Sequence, residues 1–242
     1  MKLTYSILAL FALVISDASA VARNCKELQD QGMDHDGPST IYPFPNHPET
    51  SVSVLCDQTT QGGGWTVITR RDDTYYDRNN FARTFEEYAD GFGELDYDFY
   101  IGNEVIHALT GLQGHNELWV TIEDTHGETG YAHYGYFHVG ARLAILLPPY
   151  MMGIGLYEGT IGDGMEYHNG MGFSTMDQDH DIDNDLHCSA VSGGGGWWSR
   201  DCYRVLLTGP YGTGYFHWSS INSYYTLSKA QMMVRPSTCS TT

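Results

Sequence analysis

An α+β chain built on antiparallel strands is predicted by three observations. Glycine (28) and tyrosine (18) are abundant across the 242 residues, a balance that favours a loop-rich chain with polar aromatic surfaces over a helical bundle. Short runs of alternating or β-branched residues recur between glycine and proline turns. Helix-compatible stretches are few and short. No internal repeat and no low-complexity linker divides the chain.

In order, residues 21–32 carry Cys25 and Leu28 in a short helix-compatible stretch that Gly37-Pro38-Ser39 breaks. Residues 41–44 and 51–56 read as strands, the second alternating Ser51, Val52, Ser53 and Val54. The turn Gly62-Gly63-Gly64 feeds the half-buried strand 65–70, rich in β-branched residues. A longer polar region follows to Gly93, with a helix expected at 85–88. Residues 104–109 form a second short helix with Asn103 as its expected cap. Strands are predicted at 117–122 and 130–139, and residues 141–147 are apolar up to Pro148-Pro149. Glycine recurs without period from 150 to 171, which reads as loop. After Cys202, strands are expected at 204–207, 215–218 and 231–235.

The segment 173–203 carries the chemistry. Asp177, Asp179, Asp181, Asp183 and Asp185 stand at alternate positions. Aspartate competes for backbone hydrogen bonds and suits neither a core strand nor a helix. Five such carboxylates repel one another unless solvent or a cation compensates, and Ca²⁺, with six to eight oxygen ligands, suits such a loop. The competing reading is a solvated acidic loop. An EF-hand is excluded. Counted from Asp177, its glycine and glutamate positions hold Ile182 and Cys188; counted from Asp179, they hold Asn184 and Ala190.

The first twenty residues have the form of a secretory signal, with Lys2, an apolar run over 7–15 and the small-residue site Ala18-Ser19-Ala20. The expected organisation is signal 1–20, one domain over 21–236 and a tail over 237–242, in a secreted protein with no stalk before Cys25. Five cysteines remain, and oxidising conditions suit the neighbours Cys25–Cys56 and Cys188–Cys202. Cys239 is left over, either as an intermolecular bridge that makes a homo-oligomer or as a free thiol. The formal net charge of −18 argues against nucleic acid or anionic membrane as partner. No Asn-x-Ser/Thr sequon is present. His133 and His138, five apart on a strand, face opposite sides and cannot share a metal. Neither a nucleophile elbow nor a phosphate loop occurs, because Gly193–Gly196 lacks the required Lys and Ser/Thr. No enzyme is expected.

Several motifs fall in one collinear order: Cys-Lys-Glu-Leu from Cys25, Val-Leu-Cys-Asp over 54–57, Gly-Gly-Gly-Trp-Thr-Val-Ile over 62–68, and Arg70-Arg71. They continue with Gly-Phe-Gly at 91–93, residues 102–110, Tyr-Ala-His-Tyr at 131–134 and Phe-Ser-Thr-Met-Asp at 173–177. Cys188, Trp197-Trp198, Cys202 and Met-Val-Arg-Pro at 233–236 complete the set. Over residues 24–236 the chain resembles the fibrinogen-related domains of fibrinogen γ-chains, ficolins and tachylectin-type lectins. That resemblance implies a fibrinogen C-terminal-like globe: a disulfide-pinned N-terminal part, a central antiparallel sheet with short helices, and a loop-rich C-terminal part carrying calcium and ligand sites. It implies the same two disulfides.

By the same resemblance, the calcium ligands fall on the side chains of Asp179 and Asp181. Further oxygens come from the positions of Asp183 and Asp185, while Asp177 orients the loop. The ligand pocket falls beside the second disulfide, at Asp201, Cys202 and Tyr203 with Tyr225, and the family's cis peptide bond would fall at Asp201-Cys202, its cis or trans state left open by the sequence. Tyr211 is a candidate for the aromatic wall, in a segment (208–215) shorter than the ficolin counterpart. Trp197, Trp198 and Trp218 are expected in the core. The implied function is a calcium-binding, lectin-like recognition protein of innate-immunity type for acetylated or acidic glycans on foreign cells. The alternative is a protein–protein interaction module that takes a peptide end in the same pocket.

Overall fold

The computed structural model describes residues 21–74, 80–111, 115–143, 146–220 and 223–237. The signal-like residues 1–20 and Cys239 lie outside these. Helix α1 (Cys25–Asp30) starts at Asn24, whose side chain accepts the Glu27 N–H at 3.0 Å. Strands β1 (Gly37–Ile41), β2 (Val52–Asp57) and β3 (Trp65–Asp72) follow as an antiparallel meander. Cys25–Cys56 ties α1 to β2.

Helix α2 (Phe85–Asp90) opens on a reciprocal capping box of Thr84 and Glu87 and stops at Gly91. Two short strands, β4 (Phe92–Gly93) and β5 (Phe99–Tyr100), lead to helix α3 (Asn103–Thr110). The cap of α3 is Gly102, not Asn103. Gly102 has φ +106°, and a Cβ there would lie 2.8 Å from the Ala89 carbonyl oxygen. Asn103 is already inside the helix, buried, and accepts the Tyr100 hydroxyl at 2.6 Å.

Strands β6 (Asn116–Asp124), β7 (Thr129–Val139) and β8 (Met152–Gly159) form a second meander. The expected loop at 150–171 thus begins with a strand. Met152 and Ile154 point inward in a period of two, while Gly153 and Gly155 take the alternate positions; Gly153 leaves room for the Tyr136 ring. The glycines hide the alternation from a propensity reading. After the short helix α4 (Cys188–Val191) come β9 (Val205–Leu206), β10 (His217–Ser219) and β11 (Tyr224–Pro236).

The sheet order is β1-β2-β3-β11-β6-β7-β8, so the long β11 lies between the two meanders. Its first residues also pair with β10, which pairs with β9, and this carries the C-terminal loops onto the sheet. Trp197, Trp198 and Trp218 are fully buried, in the core as expected.

A buried ion pair fastens these loops to β3. Arg71 Nε lies 3.2 Å from Asp98, and both side chains are essentially inaccessible. Arg71 Nη1 donates to the carbonyls of Leu207 (3.1 Å) and Gly209 (3.0 Å). Its guanidinium centre lies 3.9 Å from the Phe81 ring and 4.2 Å from the Tyr211 ring. Asp98 also accepts the Asp72 N–H and the Tyr211 hydroxyl, each at 2.8 Å. Removing one partner of such a pair strands the other charge and costs about 3–5 kcal/mol. Arg71→Met is expected to lose that amount in urea unfolding. The double variant Arg71→Met/Asp98→Leu is expected to recover part of it.

Candidate functional site

The acidic segment folds as a chain of aspartate turns. Asp179 Oδ1 accepts the Asp181 N–H at 3.2 Å, Asp181 Oδ1 the Asp183 N–H at 3.0 Å, and Asp183 Oδ1 the Asp185 N–H at 2.9 Å. Each carboxylate turns the backbone two residues on, which explains the alternate spacing. Asp181 Oδ2 also takes the Cys188 N–H at 3.0 Å and so ties the loop to the Cys188–Cys202 disulfide. Ile182 N donates to Arg200 O across the loop at 3.1 Å. Asp177 does a different job: it accepts the Phe85 N–H at 2.9 Å and the Thr175 hydroxyl at 2.7 Å, which pins the segment to the start of α2.

Beneath lies an aromatic floor. Phe173 packs at 5.2 Å from Tyr88 and 5.1 Å from Trp198. Gly196 comes so close that a Cβ would sit 2.7 Å from the Tyr88 ring, so only glycine fits there. The Trp198 indole donates to Tyr150 O at 2.8 Å.

Asp179 and Asp181 are close enough to interact. Burial, and then the neighbouring Asp179, push the Asp181 carboxyl above its ordinary value, against the lowering effect of the Cys188 and Asp183 N–H groups. Two interacting carboxylates in a loop rich in aspartate and backbone oxygens suit a hard cation such as Ca²⁺. Asp179 and Asp181 would hold it, with oxygens from Asp183 and Asp185 in support; the ion would supply positive charge between the facing carboxylates. Asp183 also lies within 4.8 Å of both disulfide sulfurs, but a bridged sulfur has no thiolate to offer a metal.

On the other side of the disulfide, the Asp201-Cys202 peptide is trans, since no cis bond occurs among the described residues. A cis form there would cost about 2.5–4 kcal/mol, so trans is the default for this bond. Arg200 N donates to Cys202 O at 3.0 Å, and Asp201 O accepts the Tyr167 hydroxyl at 2.7 Å. The Tyr203 hydroxyl is spent inside the loop, on Cys188 O and on the buried Ser192 hydroxyl, and burial pushes its pKa up to about 12. Asp201 is exposed at the rim. Tyr211 lies against Arg71 and Asp98 and borders a cavity of about 110 Å³ shared with Gly193 and Pro210. Tyr225 sits in β11 opposite Trp218, with Tyr157 nearby. The structure therefore brings Asp201, Cys202 and Tyr203 together and sets Tyr211 and Tyr225 in other surroundings.

Two features escaped the sequence. Arg200 and Arg204 flank one ring, with guanidinium centres 5.4 and 5.0 Å from the Tyr167 centroid. Neither has a carboxylate partner among the described ion pairs. Their spacing of four in a loop gives no signal, and Tyr167 is distant in sequence. The other feature is His168, fully buried behind the disulfide loop. Its Nε2 accepts the N–H groups of Arg204 (3.3 Å) and Val205 (3.0 Å). Its Nδ1 must then carry the proton, donated to Trp198 O at 2.8 Å. Burial holds its pKa down at about 3. His133, by contrast, sits between Glu117 (2.7 Å) and Glu158 (3.1 Å), and His138 Nδ1 meets Thr110 O at 3.2 Å.

The family model for the fibrinogen beta and gamma chains' C-terminal globular domain matches residues 21–237. Human ficolin-3 is 41% identical over 190 residues, which cover 78% of this chain and 59% of ficolin-3. Fibrinogen C domain-containing protein 1 of Mus musculus is 39% identical over 223 residues, 88% of this chain and 46% of that protein. This chain thus spans about half the length of that relative. Among solved structures, the fibrinogen-like globe domain of human ANGPTL2 superposes with a TM-score of 0.78 at 32% identity, covering 89% of this chain and 99% of that one. Lamprey fibrin D-dimer, complexed with the peptide Gly-His-Arg-Pro-amide, gives 0.77 at 25% identity, with 97% and 80% covered. The sheet, the two disulfides and the loop corner thus define a fibrinogen-like globe. The chain belongs to the fibrinogen C-terminal globular domain family.

His168 makes stability depend on pH. Its folded pKa lies below the unfolded value near 6.5, so the unfolded chain binds the extra proton. The contribution is complete above about pH 6.5 and is lost as pH falls toward 3, at up to about 1.4 kcal/mol per pH unit. Urea midpoints are expected to fall more steeply from pH 6 to 4 in the wild type than in His168→Gln, as measured by tryptophan fluorescence.

Proposed function

We propose that this chain is a secreted, calcium-stabilised, lectin-like recognition module for acetylated or acidic glycans on foreign cells, acting by binding without chemistry. One observation carries the reading: the Cys188–Cys202 corner gathers an interacting carboxylate pair, Asp179 and Asp181, on one side. On the other side it presents two arginines, Arg200 and Arg204, over Tyr167. The carboxylates suit a cation that stiffens the loop. The arginines suit the carboxylate or sulfate of an acidic sugar, an uncommon offer on a chain of net charge −18. The likeness to human ficolin-3 supports the lectin arm of the reading. Secretion from a signal at residues 1–20 agrees with the two disulfides, and no helix among the described residues is long and apolar enough to cross a membrane. Single sites of this kind bind weakly, so avidity would come from oligomers, with Cys239 as a bridging residue.

A second reading, an interaction module for a peptide end, is supported by the exposed Asp201 at the corner, which could receive an α-amino group. The fold relative solved with Gly-His-Arg-Pro-amide gives that reading its probe.

Calorimetry should record heat on Ca²⁺ addition. The melting temperature should rise by the equivalent of about 2.7 kcal/mol at a hundred times Kd, and Asp181→Asn should abolish both. On glycan-coated resins, retention should require Ca²⁺, be released by EDTA, and fall at least about tenfold for acidic sugars in Arg200→Ala/Arg204→Ala. No heat and no shift would remove the calcium site. Capture of the peptide with no glycan retained would transfer the corner to the second reading.

A further inference from the structure

A groove of about 600 Å³ crosses the outer face of the central sheet, on strands β3, β11, β6 and β7. Its volume is that of a small-ligand site. The register sets two rows of side chains across it. One runs Arg70, Gln231, Thr121, Tyr131; the other runs Asp72, Lys229, Glu123, Thr129. Trp119 lies beside the first row, with the Tyr131 ring stacked on it at 4.6 Å and an interplanar angle of 3°. Nothing in the corner described above contributes to this groove.

Three observations decide what the groove can hold. First, β3, β11, β6 and β7 each pair on both sides, so their backbone groups are consumed in the sheet. A peptide therefore cannot bind here by strand addition, and recognition must come from side chains and rings. Second, the charges cancel. Lys229 lies 3.3 Å from Glu123 and 3.9 Å from Asp72, and with Arg70 on the same face the two rows carry two cations against two carboxylates. Such a surface offers donors and acceptors but no net field to attract an ion. Third, the floor is aromatic: the half-buried Tyr131 ring lies flat on the buried Trp119 indole. A flat aromatic stack and a rim of amide, hydroxyl and paired charges are together what the apolar face and the hydroxyl edge of a pyranose require.

We propose that this groove is a second, calcium-independent binding site for a neutral oligosaccharide, with Tyr131 on Trp119 as its platform. The site does not depend on the corner or on the ion, so it stands or falls apart from the reading of that corner.

The test uses the whole chain in EDTA with cellohexaose, maltohexaose, laminarihexaose and xylohexaose as probes at millimolar concentration. Tryptophan fluorescence and the Trp119 indole N–H resonance report binding. At least one hexaose is expected to move that resonance. Tyr131→Ala should weaken it by about tenfold or more, the loss typical of a truncated aromatic anchor. Thr121→Tyr, which fills the floor but keeps the Trp119–Tyr131 stack, should do the same at an unchanged melting temperature. Asp181→Asn should have no effect. The proposal is overturned if no hexaose moves the resonance, if both groove variants bind like wild type, or if Asp181→Asn abolishes binding.

Discussion

The Arg71–Asp98 pair is the constraint on which the rest of the molecule depends. The chain has few cations, and this one is buried completely, in contact with residues from three separate regions. Its backbone belongs to β3, its carboxylate partner precedes β5, and its remaining donors hold the carbonyls of Leu207 and Gly209. A guanidinium suits this place because it offers several planar donors and flat faces for Phe81 and Tyr211. The desolvation cost of both charges is met by hydrogen bonds on nearly every side. The result is a fixed position for the loops that follow the second disulfide. A lysine would keep the charge but lose the fork and the stacking.

From that anchor the corner is assembled by short-range chemistry. Aspartates turn their own backbone, Asp181 reaches Cys188, and Asp177 fixes the segment to α2. His168 completes the work from below by accepting two N–H groups and donating to Trp198 O. The loops are irregular, yet few of their polar groups are left to chance. A surface built this way is preorganised, and preorganisation lowers the entropy that a ligand must overcome on binding.

Much of this was legible from residue types and spacing. The alternating aspartates declared their turns, and the neighbouring cysteines declared their bridges, because both depend on local geometry. The short helix read at 85–88 and its stop at Gly91 follow equally local rules. What escaped depends on distant partners. Asn103 carries the side chain of a cap, yet the chain enters the helix one residue earlier because Gly102 alone can approach Ala89. The strand β8 was concealed by glycines that make space for Tyr136. Tyr211 belongs to the Arg71 node, 140 residues away along the chain. The trans form of Asp201-Cys202 is the default of a non-proline peptide bond.

The position of β11 has a consequence for how the protein is made. The meander β1–β3 and the meander β6–β8 do not pair with each other; the strand that ends at Pro236 joins them. A nascent chain that has emerged as far as Ser219 therefore holds two half-sheets, each with an open hydrogen-bonding edge. Closure waits for β11 to leave the ribosome, and until then unpaired strand edges of this kind are prone to aggregate. Truncation within β11 would leave the halves unjoined, however intact the upstream sequence.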